Sequence, residues 1–534
     1  VKDVELKILT LNAIGALTPV LALIAFLVPL VSKLTRNSKA APFLMALAGS
    51  LYAAFSSTLA FYYLIAVESK PLVYFYGGWP PHFGIVYEID AFNAVIGLLT
   101  SLIMVSIVLY SHWYNHHLDD PSWYYTMLVG LEAGLLGCIY TGDAFNLFVM
   151  IEVLSISAYG LVAYHRDKSE AVEAAAKYAL IGAVATVFYF IGVILLYAGF
   201  GTVNMALLSE LSRAKTALDL RYVSLLALSL SLWVFTYKSA LVPNHFWLPD
   251  AHPEAPTPIS AALSGLVVNV GVYASARFLY TLFTSNSIAS GYRETVLAAL
   301  FALGAVSGVV GALMMMAQKD IKRLLAYSTI SHMGIAYMGI SAGFLVGSFE
   351  SVKLAITGAV VHIVAHSIAK ATLFMISGVF IDASNSRDLD LMRGVGRQYP
   401  LTAASLIICF LSLAGFVPFL GFYSKLLIAL GYANAGFVLG PALIIVISAL
   451  SLLGYMKVIS STVFGIGGPY RNIEGMWVEV MLFAMAASLL VLGVFMWYLT
   501  PFFEKASISL VVGVGDYVEA ALREIPPELR RWLP

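Results

Sequence analysis

Residues 222–258 read YVSLLALSLSLWVFTYKSALVPNHFWLPDAHPEAPTP. An apolar run long enough for a bilayer span carries Lys238 near its end, then meets Pro243 and a string of further prolines. Proline removes a backbone donor and breaks a helix, and the freed carbonyls must find partners within protein rather than lipid. A second apolar run, 400–428, contains LAGFVPFLGF around Pro418. Lys238 lies five residues before Pro243, and Lys425 lies seven after Pro418. Paired interruptions of this kind point to inverted repeats with an ion site near the midplane.

The rest of the chain agrees with a membrane interior. Of 534 residues, 60% are hydrophobic and 11% charged, with a mean hydropathy of +0.88. A soluble globular chain carries about 25% charged residues. The 30 basic and 30 acidic residues balance, so there is no basic face for nucleic acid. Cys138 and Cys409 stand far apart in apolar runs and read as packing residues. No close set of thiolates or histidines suggests a metal or iron–sulfur centre, so neither metal nor cofactor is expected in this chain.

A helix needs about 20 apolar residues to cross the hydrocarbon core. Scanning on that basis predicts an all-α membrane protein of about fourteen spans. They fall near 9–31, 41–66, 90–111, 124–141, 144–164, 171–199, 222–241, 257–283, 294–316, 321–345, 351–380, 400–428, 435–463 and 476–500. The first stretch is too long for a signal-peptide core and lacks a cleavage site, so it reads as a span. The pattern divides into 1–115 (three N-terminal helices), 116–285 and 286–465 (two inverted repeats of five helices, each with a broken helix), and 466–534 (a last helix and an amphipathic tail, interfacial or docking). Lys33, Arg36, Lys39, Arg166, Lys168, Lys319, Lys322, Arg323, Arg387, Arg393, Arg397 and Arg471 fall in one set of loops. The other set holds Lys70, Arg213, Lys215, Arg221, Arg293 and Lys353, which predicts an N-terminus outside the cell membrane.

Buried charge is expensive in a bilayer, roughly 2.5–3.5 kcal/mol on insertion scales, so each intramembrane ionisable group is a functional candidate. Glu152, Lys177, Lys238, His332 and Lys425 stand in separate spans. In VHIVAHSIAKATLF, His362, His366 and Lys370 recur every four residues and so share one helix face, about 6 Å apart in rise. A row of titratable groups at one-turn spacing suits proton hopping through water. A carboxylate at 4 Å interacts with a lysine by about 4 kcal/mol at an effective dielectric of about 20, so motion of Glu152 relative to Lys238 would load or eject a proton. Bland readings stand beside these: Lys177 snorkels to the interface, and His332 is a satisfied core residue. His112, His116 and His117, beside Asp119 and Asp120, read as a solvated helix end rather than a metal cluster. Glu132 and Lys457 are buried by pattern, with no role assigned.

These motifs resemble the antiporter-like subunits shared by complex I, Mrp-type sodium/proton antiporters and energy-converting membrane hydrogenases. The resemblance spans residues 70–470 and is carried by TGDAFNLFVMIEVLSISAYGLV (141–162), KSALVPNHFWLPDAHPEAPTPISAALSG (238–265), RLLAYSTISHMG (323–334), HIVAHSIAKATLFMISG (362–378) and GFYSKLLI (421–428). GGWPPHFGIVYEID (77–90) looks most like the Mrp D-type branch and its hydrogenase relatives. The resemblance implies a proton pathway through Glu152, Lys177, Lys238, His362, His366, Lys370 and Lys425, built as two half-channels joined at the midplane, with Glu152 and Lys238 as the coupling pair. It also implies no cofactor in this chain and a place among other hydrophobic membrane subunits. Nickel–iron or iron–sulfur peripheral partners would go with a redox-driven complex, and sodium transport with an antiporter. One position departs: relatives carry a lysine where this chain has Asn269, so the central relay would run through water and His332 or be interrupted. A self-contained carrier of organic solutes and a quinone oxidoreductase are the competing classes, and a linear row of lysines and histidines fits neither well.

Overall fold

A computed structural model describes residues 2–35, 39–116, 118, 120–214, 217–345, 349–473 and 475–523. His117, Asp119, Arg36, Lys215 and the tail beyond Arg523 lie outside the described residues. The chain opens with the antiparallel helices α1 (Lys2–Leu34), α2 (Ala40–Tyr62) and α3 (Ala91–Tyr114). Between α2 and α3 a small hairpin, β1 (Leu72–Phe75) and β2 (Val86–Ile89), pairs Val73 with Glu88 and Tyr74 with Tyr87. The all-α expectation missed this hairpin. Its β-branched and aromatic strands, LVYF and VYEI, flank a Gly/Pro turn, which is the usual composition of a β-hairpin. Asp90 then starts α3 with a reciprocal capping box to Asn93.

The first broken-helix unit holds α4 (Ser122–Tyr140), α5 (Ala144–Val162), α6 (Ser169–Phe200), α7 (Met205–Ala214), α8 (Leu218–Lys238), α9 (Leu248–Glu254), α10 (Thr257–Ala262) and α11 (Val268–Arg277). α10 runs into α11 through a π-helical turn at Leu263–Val267. The second holds α12 (Ser290–Ala317), α13 (Ile321–Ile340), α14 (Phe349–Ser384), α15 (Pro400–Ala414), α16 (Leu420–Asn434) and α17 (Leu439–Thr462). α18 (Met476–Val494) follows, then α19 (Met496–Val511) and the short amphipathic α20 (Val514–Arg523). Instead of projecting as a free docking tail, α20 lies on the chain's own hairpin face, against α7 and β1, with Tyr517 and Val518 buried.

Eleven helices among the described residues are long and apolar enough to cross a membrane. The other three expected spans are α4, α13 and the α15–α16 pair. α4 and α13 are buried along nearly their whole length, so their neighbours are protein and polar residues such as Glu132 and His332 are tolerated. α14 is the axle of the molecule, enclosed almost throughout, whereas α1 and α18 face outward over most of their length. Close contact around that axle depends on glycine. A Cβ added to Gly334 of α13 would run into the backbone of Gly304 and Gly308 on α12.

Alternation of these helices gives the bundle two ends. The hairpin face carries β1, β2, α7 and α20. The other, basic face carries α9 and the links that hold Lys168, Lys319 and Arg397. α8 runs in from the hairpin face and breaks after Lys238; α15 runs in from the basic face and breaks after Ala414. The two breaks thus have opposite orientation, and Val242–Pro243 and Val417–Pro418 are both cis.

Candidate functional site

At the first break, α8 ends at Lys238 because Ala240 takes a left-handed conformation (φ 51°) and Pro243 has no donor. The freed groups are met by protein. Trp247 Nε1 donates to the Tyr237 carbonyl (2.9 Å), and the Val242 N–H donates to Ser307 Oγ (2.9 Å). Lys238 is fully buried, and its Nζ donates to Ser155 Oγ (2.6 Å). The ring centroids of Tyr159, Tyr178 and Tyr237 lie 5.6, 5.6 and 5.8 Å from the ammonium, within cation–π range.

Glu152 and Lys238 are not in direct contact in this arrangement. Glu152 is half-buried on α5 and has no ion-pair or hydrogen-bond partner among the described residues. Its charge acts on Lys238 without direct contact, and Ser155, one turn further along α5, fills the gap. Lys177 is not enclosed, as its snorkelling reading has it. It is 49% exposed near the start of α6, paired with Glu173 (2.7 Å) and more loosely with Asp250 (3.5 Å). It lies too near its helix end to be enclosed, and it lines a 190 Å³ cavity on the basic face with Glu254, Asp320, Arg323 and Arg387. In that cavity Arg323 pairs with Asp250, and Arg387 bridges Glu254 (2.9 Å) and Asp320 (3.2 Å), tying the two broken-helix units together.

At the second break Lys425 reaches back from α16 to the last carbonyls of α15. Its Nζ donates to Leu413 O (2.6 Å), Ala414 O (3.3 Å) and Ser448 Oγ (2.8 Å). Beside it begins a continuous hydrogen-bonded series. Ser424 Oγ meets His362 Nδ1 (3.0 Å), and His362 Nε2 meets His332 Nδ1 (3.3 Å). His332 Nε2 meets the Tyr455 hydroxyl (2.7 Å), Tyr455 meets Ser328 Oγ (2.8 Å), and Ser328 receives Lys370 Nζ (2.5 Å). His332, His362, His366 and Lys370 are all enclosed, so the structure gathers in one place what the sequence spread over two spans. From Ser328 to Ser424 every link joins groups able to accept and donate, which is the condition for passing a proton along a chain, and the Lys370 ammonium donates into one end of it.

His366 stands beside this series, and neither of its ring nitrogens has a hydrogen-bond partner among the described residues. Asn269 joins the first unit to α14: its Nδ2 donates to Gly265 O (2.7 Å) and Ser367 Oγ (2.7 Å), while its buried Oδ1 has no partner among the described residues. Unpartnered buried polar atoms of this kind are the usual seats of internal water.

Sequence reasoning missed Ser155, Ser328, Ser424 and Tyr455. Serines are ordinary in membrane helices, and Tyr455 is one of 30 tyrosines, two residues from the more conspicuous Lys457. Lys457 is in fact half-buried, donating to Met316 O (3.0 Å) and Gln318 O (2.6 Å) at the end of α12. Glu132 is enclosed as its pattern predicts, with Oε2 accepting from Ser50 (2.5 Å). His112 stacks on Phe43 at 4.1 Å, and Cys138 and Cys409 are buried free thiols.

Two oppositely oriented broken helices with a buried lysine at each, around a polar axle, define the class of antiporter-like membrane subunits. The chain belongs to the NADH:quinone oxidoreductase/Mrp antiporter transmembrane family, which matches residues 141–454. It is 33% identical over 397 residues to the N-type subunit of NADH-quinone oxidoreductase from Desulforudis audaxviator, covering 74% of this chain and 76% of that one. It is 32% identical over 383 residues to the D-type subunit of the Na(+)/H(+) antiporter from Alkalihalophilus pseudofirmus, covering 72% and 74%. It superposes with a TM-score of 0.86 and 30% identity on a chain of the membrane-bound sulfane sulfur reductase, an archaeal respiratory membrane complex, over 95% of this chain and 99% of that one. This is a multi-pass membrane protein whose relatives are subunits of multi-subunit membrane complexes.

Proposed function

We propose that this chain translocates protons as one membrane subunit of an energy-converting complex. The observation that carries the reading is the unbroken series from Lys370 through Ser328, Tyr455, His332 and His362 to Ser424. Two half-channels meet there: one from Lys238 and Ser155, the other from Lys425. Residues 116–285 and 286–465 act as the two inverted repeats. Glu152, half-buried and unpaired on the outer side of α5, is placed to meet a neighbouring subunit, and its approach would raise the proton affinity of Lys238. Lys177 belongs to the ionic cluster at the basic face, which we assign to the inner side of the cell membrane, with the N-terminus outside.

The likeness to the sulfane sulfur reductase chain over nearly its whole length favours a redox-driven complex with iron–sulfur or nickel–iron peripheral subunits. The likeness to the D-type antiporter protein supports the second reading, a gradient-driven cation/proton antiporter in which sodium also moves. Gentle isolation of the native complex, with its metal content, separates these. Metal-bearing subunits establish the first, and small hydrophobic partners with no metal establish the second. For the pathway itself, Lys370→Ala in the reconstituted complex is expected to stop proton uptake into vesicles; uptake at the original rate would refute it.

A further inference from the structure

Lys322 lies in the first turn of α13 at the basic face and is enclosed, with 3% of its surface exposed. An ammonium has three donors. Two go to backbone carbonyls at the end of α9, Ala255 O at 2.6 Å and Pro253 O at 3.4 Å. Among the described residues no carboxylate lies within ion-pair distance of it. Asp320 and Glu254 act on Lys322 only from further off, and Arg387 and Lys168 oppose them. A charge withdrawn from water is costly unless a counter-charge meets it.

Lys322 lines a 290 Å³ cavity with Tyr114, His165, Lys168, Glu254 and Arg387. Glu254 is the single carboxylate among the lining residues, and it is committed: it pairs with Arg387, which also pairs with Asp320. Lys168, exposed just before α6, has no ion-pair or hydrogen-bond partner for its side chain among the described residues. Two ammonium groups on one cavity are therefore left without a carboxylate. The neighbouring 190 Å³ cavity differs. There Lys177, Arg323 and Arg387 meet Glu173, Asp250, Glu254 and Asp320, so every cation has an acid.

The surplus charge sits in a recess rather than on a flat surface. Because Lys322 is enclosed, its counter-ion must be small enough to enter. The walls come from both broken-helix units: Lys168 and Glu254 from the first, Lys322 and Arg387 from the second. An anion with several acceptor oxygens can meet more than one wall at once. Phosphate is such an anion, bound by lysine as a point charge and by arginine through its fork of donors. The space admits a phosphate group with water around it.

We infer that this recess is a phosphate site: a phosphate group enters past Lys168, takes the remaining Lys322 donor and ties the first unit to the second on the basic face. The same chemistry is offered by free phosphate and by a phospholipid headgroup. The site stands apart from the series between Lys370 and Ser424 and does not depend on the proton-pathway reading.

The test uses the intact complex in chloride buffer, with inorganic phosphate as the probe, read by thermal unfolding and by binding of radiolabelled phosphate. Phosphate is expected to raise the unfolding temperature, because a ligand held only by the folded state stabilises it. Lys168→Gln removes an exposed ammonium that has no partner, and is expected to weaken binding by about fivefold or more, the worth of one solvated charge at contact. Lys168→Arg keeps the charge and is expected to retain binding. Lys319→Gln removes a charge from the same face outside the cavity, where Lys319 pairs with Asp390 (3.2 Å), and is expected to change nothing. A phospholipid that copurifies with the original complex and is lost from Lys168→Gln identifies a headgroup as the source; exchangeable phosphate identifies a soluble one. If neither depends on Lys168, or if Lys319→Gln weakens binding equally, the site is overturned. A carbodiimide crosslink from Lys168 to a neighbouring subunit, with phosphate without effect, overturns it in favour of a protein carboxylate.

Discussion

The Tyr455 hydroxyl lies 2.7 Å from His332 Nε2 and 2.8 Å from Ser328 Oγ, and so joins the histidine half of the buried series to Lys370. α17 thereby contributes a link between two groups that both belong to α13. His332 and Ser328 are one turn apart on that helix, and the phenol closes the space between them.

Tyr455→Phe removes that joint and little else. The ring stays stacked on Phe410 at 4.6 Å, so packing is kept. Two partners each lose a hydrogen bond, worth about 1 kcal/mol apiece. The complex is expected to assemble and to translocate protons more slowly by about tenfold or more. Dye-monitored uptake in vesicles measures this, and an undiminished rate would show that protons pass Lys370 and His332 by another route.

Ser155 is the only hydrogen-bond acceptor that Lys238 has among the described residues. Its hydroxyl donates to the Ile151 carbonyl, which leaves a lone pair for the lysine. In Ser155→Ala the ammonium keeps only the three tyrosine faces, worth about 0.5–2 kcal/mol each. Translocation is expected to fall while Ser155→Thr, which keeps the hydroxyl, retains most of it. Equal rates in both variants would remove Ser155 from the pathway.

Asp143 caps α5 on the hairpin face, Oδ1 accepting from the Asn146 N–H at 2.7 Å, and burial pushes its carboxyl up to about 6. Between about pH 4 and 6 the folded chain therefore binds a proton that the unfolded chain does not. Stability falls as pH rises through that window, by about 2–3 kcal/mol, and levels off above it. Asn keeps the cap and cannot titrate, so Asp143→Asn is expected to lose this component of the slope in thermal unfolding. An identical slope in both proteins would mean the carboxyl titrates as it does in the unfolded chain.

A lysine close to a proline within an apolar run leaves both a charge and freed carbonyls that protein must satisfy, whereas Pro19 and Pro29 stand without an enclosed charge beside them inside the unbroken α1. The sequence therefore announced the breaks and the charges. It was weaker on distances. Glu152 and Lys238 looked like a pair because both are charged, yet hydrogen-bond reach depends on how α5 and α8 are rotated, which the pattern of apolar residues does not specify. Lys177 reads either as a pathway residue, by resemblance, or as a snorkelling side chain, and two turns from the start of α6 its side chain reaches solvent.

Asn269 stands where a titratable relay would be expected, and its geometry suggests a test of whether the gap is bridged by water. Nδ2 is committed to Gly265 O and Ser367 Oγ, so the side chain cannot turn, and Oδ1 is held in a buried position without a protein donor. An unpartnered buried oxygen is a usual seat for internal water. A water held there is expected to carry protons onward to α14, where His366 also has two nitrogens without a partner among the described residues. Asn269→Leu has a similar volume but no acceptor, so it is expected to expel the water and lower translocation by about tenfold or more. Asn269→Lys places an ammonium within reach of Ser367 and is expected to restore the rate. If the leucine variant pumps at full speed, the first unit does not pass protons to α14 at this point, and the series from Lys370 to Ser424 works from its own end of the molecule.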